Sequence, residues 1–254
     1  MSEMKESPII TIERRKAVTI VISSLIVALA LVVGLTKVGA GFAARVTEGI
    51  TVTGSAKVAA TADNAIWTLT VQQSKPKVAD AVNFVGAGID ELSSYLTNGG
   101  VPATSLELGP VSTYSNAEYI NGNPTGRIIS YNASRDLTVR TKDVQLVKKL
   151  SQGIGTLLQQ GVNINNNGPQ YYISTLPDLR PKLLQEAVKD AQVRAVALTS
   201  GVGGKVGAVL SVRSGPFQVT TPDSTMTSDV GAYDTSTIKK TVTATVSVTF
   251  KTSK

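Results

Sequence analysis

Residues Ala17–Thr36 form a run of twenty without a charge, entered directly from Arg14-Arg15-Lys16, and twelve of them are Val, Ile or Leu. As a helix rising about 1.5 Å per residue the run would be about 30 Å long, the thickness of a bilayer's hydrocarbon core. Insertion values near −0.3 to −0.6 kcal/mol per large aliphatic residue sum to about −4 to −7 kcal/mol, which outweighs Thr19, Ser23, Ser24 and Gly34. The pattern predicts a transmembrane signal anchor over 17–36, a linker over 37–48 and one folded domain over 49–254. Three cations abut the start of the run, whereas Lys37 and Arg45 are spread over its far end. The positive-inside rule then keeps 1–16 in the cytoplasm and exports the domain from a single-pass membrane protein. A cleaved signal peptide is the rival reading, with Val38-Gly39-Ala40 or Phe42-Ala43-Ala44 at the cleavage site. Its apolar region is usually about 7–15 residues, however, and Phe42 is bulky for a small-residue site.

The chain has 254 residues, 42% hydrophobic and 17% charged, a globular composition. It contains no cysteine, so packing supplies all the stability of an exported domain, and no histidine. A Ser-His-Asp triad, a Cys-His pair, the usual zinc sites and haem ligation by His or Cys are thereby excluded. Residues 45–254 carry 20 Lys/Arg against 15 Asp/Glu, scattered and without interleaved aromatics, which reads as solubility and not as a nucleic-acid surface.

Alternation places Ile50, Val52, Gly54, Ala56, Val58 and Ala60 on one face of a strand, and Trp67, Leu69 and Val71 on one face of the next. The turn residues Thr61-Ala62-Asp63-Asn64 between them predict an antiparallel hairpin. Ser74 is a candidate cap, with Pro76 in the first turn of a helix whose stripe is Val78, Val82, Val85, Ile89, Leu92 and Leu96, stopped by Gly99-Gly100. Strands over 105–119 and 127–141 flank the turn Asn121–Gly126. A second helix starts at Asp143, with Val147, Leu150, Ile154 and Leu157 as its stripe and Gly161 closing it. A strand over 163–174 follows. The third helix is capped by Asp178, has Pro181 in its first turn, and runs to Ser200. It turns Leu179, Leu183, Ala187, Ala191, Ala195 and Leu198 inward, and its small residues suit close approach to a sheet. A strand through Val206 and Val212 precedes a polar segment, 216–237, expected to be a mobile loop. The last strand alternates Val242, Ala244, Val246, Val248 and Phe250 against Thr241, Thr243, Thr245, Ser247 and Thr249. The order ββαββαβαββ predicts an α+β fold, a mainly antiparallel sheet with helices packed on one face.

No constellation carries an obvious chemistry. Gly201-Val202-Gly203-Gly204-Lys205 lacks the earlier glycine and the Ser/Thr of a phosphate loop, and it follows a helix instead of a strand. Asp90 and Glu91 point in different directions on one helix, and Asp178, Glu186 and Asp190 have basic neighbours. Asp223, Asp229 and Asp234 lack the density of a calcium loop. Asn132-Ala133-Ser134 is a formal sequon in mid-strand, and Trp67, the single tryptophan, suits a core. The sequence therefore assigns no catalytic, cofactor-binding or metal-ligating residue, no cofactor, and no enzymatic activity.

The residues Ile50-Thr51-Val52-Thr53-Gly54 and Asp63-Asn64-Ala65, then Gly100-Val101 and Tyr131-Asn132-Ala133-Ser134 before Leu137-Thr138-Val139, together resemble the SIMPL-domain (DUF541) family of YggE-like bacterial envelope proteins. Glu186-Ala187-Val188-Lys189-Asp190-Ala191 with Arg194-Ala195 completes the pattern over about 49–251. Ala62 departs from it, since the family usually has proline before the aspartate. The resemblance implies an extracytoplasmic α+β protein without an established catalytic site, with a large ring-shaped homo-oligomer and an envelope-stress role among its members. The combined expectation is an anchored subunit in a bacterial inner membrane that assembles into a ring or cage. Its contact surfaces would be the Thr face of the last strand and the 216–237 loop. The alternative is a binding module for a peptide, lipid or envelope protein.

Overall fold

The structure, a computed structural model, describes residues 21–36, 49–226 and 228–253. Helix α1 covers 21–36, and all sixteen of its residues are exposed. The expected membrane span is not upheld: among the described residues no helix is long and apolar enough to cross a membrane. Residues 17–20, part of the expected span, and 37–48, the expected linker, lie outside the described residues, as does the expected cytoplasmic tail.

Helices and antiparallel strands make the rest α+β, but in two sheets where one was expected. The terminal sheet contains β1 (Gly49–Thr61), β10 (Lys239–Ser253), β8 (Gln218–Thr220) and β9 (Ala232–Tyr233), with β7 (Lys205–Ser214) also on β10. The inserted sheet has the order β3 (Leu106–Ile120), β4 (Asn123–Thr141), β2 (Asn64–Lys75), β5 (Ile164–Asn166), with β6 (Gln170–Tyr172) beside β5 on β2. All of the inserted sheet lies between β1 and α5 (Leu176–Ser200) in sequence, so one layered unit is nested within another.

The expected β1–β2 hairpin does not form. β1 pairs antiparallel with β10 along its whole length, Gly49 opposite Lys251 and Thr61 opposite Lys239, while β2 pairs with β4. The reason is that each strand buries its apolar row against a different helix. Val52 and Ala56 join a core with Leu183, Ala187, Ala191 and Ala195 of α5. Trp67, Leu69 and Val71 join a second core with Val85, Ile89, Leu92 and Leu96 of α2 (Val78–Asn98) and Val147 of α3 (Val144–Gly153). Each such aliphatic side chain contributes about 1.5–3 kcal/mol on full burial, far more than a two-residue turn can supply.

The crossing at Ala62-Asp63 is held by backbone bonds from Ala62 N–H to the Ile238 carbonyl, 2.8 Å, and from Asp63 N–H to the Tyr172 carbonyl, 3.0 Å. The Asp63 carboxylate accepts the Ser174 N–H at 2.7 Å and its hydroxyl at 2.6 Å, and these bonds hold its pKa below the ordinary value.

Helix starts shift from their expected places. β2 runs on to Lys75, so Ser74 is a strand residue and Lys77 stands at the N-cap position of α2 without a side-chain capping bond. Asp143 does cap α3, accepting the Leu146 N–H at 2.9 Å, but Ile154 separates α3 from the short α4 (Gly155–Gln159). α5 begins at Leu176 with Thr175 as N-cap and Pro177 in the first turn, ahead of Asp178, and its Leu198 is 55% exposed. The strand expected over 163–174 is broken because the Asn166 side-chain oxygen bonds back to Gly168 N–H while accepting the Trp67 indole N–H, both at 2.9 Å.

α5 lies on β1 as its small residues suggest. A Cβ at Gly54 would overlap the Ala187 carbonyl oxygen and stand 2.5 Å from the Ala191 nitrogen. Asp190 then takes the Ser55 N–H and the Arg194 Nε, each at 2.8 Å. The Ser55 bond first, then Arg194, lowers the Asp190 pKa.

Candidate functional site: a hydroxyl-lined cleft beneath the 222–226 segment

The outward row of β10 and the polar segment after β7 come together in one place. The segment expected to be a mobile loop carries two short strands: β8 pairs with Thr241–Thr243 of β10, and β9 runs parallel to β8. Gln218, buried, binds both backbone groups of one residue, donating to the Ser228 carbonyl at 2.7 Å and accepting the Ser228 N–H at 3.2 Å. That clamp draws residues 222–226 back over the sheet. A turn from Thr221 O to Ser224 N–H, 3.2 Å, and the Ser224 hydroxyl accepting the Met226 N–H, 3.1 Å, shape the cover.

The result is a cleft of about 250 Å³. Its floor is Thr241, Thr243 and Thr245, its β8 wall is Gln218 and Thr220, and its β1 wall is Lys57, directly across from Thr243. Pro222, Ser224, Thr225 and Met226 form the cover. Side chains two apart on a strand are about 7 Å apart, so the floor is an evenly spaced row of hydroxyls. Among the described residues, none of the floor hydroxyls makes a side-chain hydrogen bond, and Lys57 has no ion pair. No lining residue is acidic.

On the other face of β10 sits a buried cation. Lys240 occupies the end of β10's inward row, 1% exposed, and its Nζ has no hydrogen-bond partner. Its nearest carboxylate oxygen is Asp234 Oδ1 at 3.8 Å. Burial pushes the Lys240 pKa down, against the opposing pull of Asp234. Asp234 in turn is lowered chiefly by the Ser236 hydroxyl, which donates to it at 2.8 Å.

Two further surfaces are unpartnered among the described residues. β3 is the edge of the inserted sheet, and its ladder with β4 continues past Lys75–Tyr131, the last pairing of β4 with β2. The projecting arm turns at Asn121-Gly122, both at positive φ (49° and 81°), as a two-residue hairpin of this twist requires. Tyr114, Tyr119, Ile120 and Ile129 are each more than half exposed on it. β7 pairs with β10 alone and exposes Val209 and Val212. Sequence reasoning did not say which strands form the edges. The signal was strand length: 15 and 19 residues in β3 and β4, far beyond the usual five or six, outrun any helix that could cover them.

Of the residues weighed from sequence, Trp67 is fully buried in the inserted core. Asn132 lies opposite Ser74 and Tyr114 in mid-sheet. Asp178 and Glu186 are not brought together with Asp190 into any metal-holding group, nor do Asp223 and Asp229 form one with Asp234, among the described residues. Gly201–Gly204 form the stop of α5 before β7.

No curated protein matches the chain. Among solved structures, one described as "a putative amidohydrolase/peptidase from Burkholderia cenocepacia" matches at 12% identity with a TM-score of 0.22, over 59% of this chain. The match covers 34% of that structure's chain, and at this TM-score it carries no argument. The family model described as SIMPL, protein of unknown function (DUF541), matches residues 50–250, from the second residue of β1 to the inward Phe250 of β10. The chain belongs to the SIMPL family.

Proposed function

We propose that this protein is an extracytoplasmic structural protein that assembles from copies of itself, as the earlier resemblance implies for ring-forming members. Family membership suggests an extracytoplasmic or periplasmic protein. The observation that carries the self-assembly reading is the free β3 edge with its projecting arm. A long, flat, apolar edge is a template for another strand, and natural proteins blunt such edges or pair them. Here register shifts interrupt the edge between Leu108 and Val111 and again over Asn116–Tyr119, but the six residues Val111–Asn116 between them run in unbroken register without a second strand partner among the described residues, and Tyr114, Tyr119 and Ile120 stand exposed on β3.

A second copy is the occupant the chain itself supplies, because β7 offers another free edge on the other sheet. Its ends carry Lys205 and Arg213, whereas β3 carries Glu107 and Glu118. Arg140 and Arg127 already meet those glutamates in cis, at 3.2 and 2.9 Å, so the charges guide register while the apolar residues supply the affinity. Pairing β3 of one copy with β7 of the next is a head-to-tail contact, which closes into a ring when its rotation divides a full turn. This replaces the contact surfaces expected from sequence, since the Thr face and the polar segment are spent in part on each other.

The test is absolute mass by light scattering on the full chain in mild detergent, beside Val111→Lys/Tyr114→Lys. Wild type is expected as a discrete multimer and the double variant as a monomer with an unchanged circular dichroism spectrum. A monomeric wild type at tens of micromolar, a range where interfaces of useful affinity are filled, would sink the proposal.

A further inference from the structure

We propose that the cleft beneath residues 222–226 is a binding site for a sugar acid: one pyranose ring bearing a single carboxylate. Assembly through β3 and β7 uses none of its residues, so the two readings stand or fall separately.

The walls specify the ligand by what they lack as much as by what they hold. Thr241, Thr243 and Thr245 present a row of hydroxyls with no intramolecular partner among the described residues, and Thr220 adds another from β8. A hydroxyl both donates and accepts, so an array of them matches a polyol, whose groups do the same. Lys57 is the one charged lining residue, with neither a carboxylate partner nor an acidic neighbour in the lining. A single ammonium matches a single carboxylate through a charge-assisted hydrogen bond. A phosphate group would call for more cation or a cradle of backbone N–H groups than one lysine on a strand provides. The threonine methyls, Pro222 and Met226 supply the apolar contact that a ring's C–H face needs. At about 250 Å³ the cleft lies below the usual range for drug-sized ligands, roughly 300–1,000 Å³, and suits one ring and not two.

Gln218 is a positioning residue here. Both ends of its amide are engaged by Ser228, so it holds the cover in place. The clamp places the 222–226 cover over hydroxyls that would otherwise face solvent.

The experiment is a titration of the full chain with D-glucuronate, followed by saturation-transfer NMR and calorimetry, with D-glucose and inorganic phosphate as controls. Wild type is expected to bind glucuronate saturably, with a Kd near 1 mM, about 4 kcal/mol. Glucose is expected about tenfold weaker and phosphate undetectable. Lys57→Met should lose about tenfold for glucuronate and leave glucose unchanged. Thr243→Val, which keeps the β-branched shape on a half-buried strand position, should weaken both sugars. Thermal melts establish that each variant is folded. Absence of saturable glucuronate binding to folded wild type overturns the proposal, as does equal binding by Lys57→Met, or phosphate competing as well as glucuronate. The methyl glycoside of glucuronate separates two sources. If it binds like the free sugar, the site accepts the end of an acidic polysaccharide; if it is rejected, the ligand is a free monosaccharide. Both results uphold the site.

Discussion

Lys240 is the least comfortable residue of the domain, an ammonium without a hydrogen bond in the inward row of the central strand. Its folded-state pKa is depressed by burial, so at intermediate pH the unfolded chain binds the extra proton, and stability rises with pH in that window. The window lies just below the ordinary lysine value of 10.5. Wild type should therefore gain stability relative to Lys240→Met as pH climbs from 8 towards 10, a comparison that cancels the opposite effect of Tyr95 and Tyr171, whose pKa values burial raises. At pH 7, Lys240→Met should be the more stable protein by about 1–3 kcal/mol, because a buried charge with no hydrogen bond and one long ion pair to Asp234 is exchanged for an apolar chain of similar length. Urea melts at three pH values check both statements, and parallel pH curves would refute the assignment. Asp63 gives a slope of the same sign at the acid end, where the favoured form is the charged one. Its depressed pKa means that its bonds to Ser174 stabilise fully above the unfolded carboxylate value of 3.8 and are lost as pH falls through the lower folded value. Asp63→Asn should flatten the acid limb of the stability curve below about pH 5. Identical acid limbs in thermal melts would show that the carboxylate's charge is idle.

Elements were legible in proportion to how much of their pattern was local. The alternation of β1, β2 and β10 and the stripes of α2 and α5 are stated by residues two, three or four apart, and they fold as written except at the stripe ends, where Val78 and Leu198 are exposed. The turn signal at Asn121-Gly122 is equally local, although the turn expected over 121–126 takes only these two residues and β4 starts at Asn123. Pairing is not: nothing in Thr61-Ala62-Asp63-Asn64 tells that β1 seeks a strand near the end of the chain, since a turn sequence also serves a crossing between sheets. The cleft was half legible. The threonine row and the polar segment each stood out, but their meeting depends on Gln218, one unremarkable side chain reaching Ser228. The apparent membrane run is the exception: among the described residues no helix is long and apolar enough to cross a membrane.

Packing between elements is tightest where α5 meets β1. Gly54→Ala should cost about 1–3 kcal/mol through overpacking against the helix backbone. Gly86→Ala on α2, where a Cβ meets nothing within 4 Å, should instead add about 0.5–1 kcal/mol. Denaturant midpoints that move the same way in both variants would contradict this geometry.

At the scale of the whole molecule, the two free edges belong to different sheets, so assembly should respond to each separately. A lysine at Val209 in the middle of β7 is expected to break the multimer as effectively as the β3 variants, and mixing the two monomeric variants should restore only dimers, through the one intact pair of edges. Light scattering of the mixture reads this directly; larger species would mean that the contact is made elsewhere.

The nesting of one sheet inside the other also governs how the chain comes off the ribosome. Residues 64–172 hold the whole inserted sheet, so that half is complete in sequence long before synthesis ends. The other half stores β1 at its beginning and cannot use it until β10 emerges some 180 residues later, since β10 lies between β1 and its other neighbours. The last strand is thus a proof of full length. A chain that stops early keeps one folded half and displays the bare alanine stripe of α5 with an orphaned first strand, a state that chaperones and proteases recognise by its apolar surface.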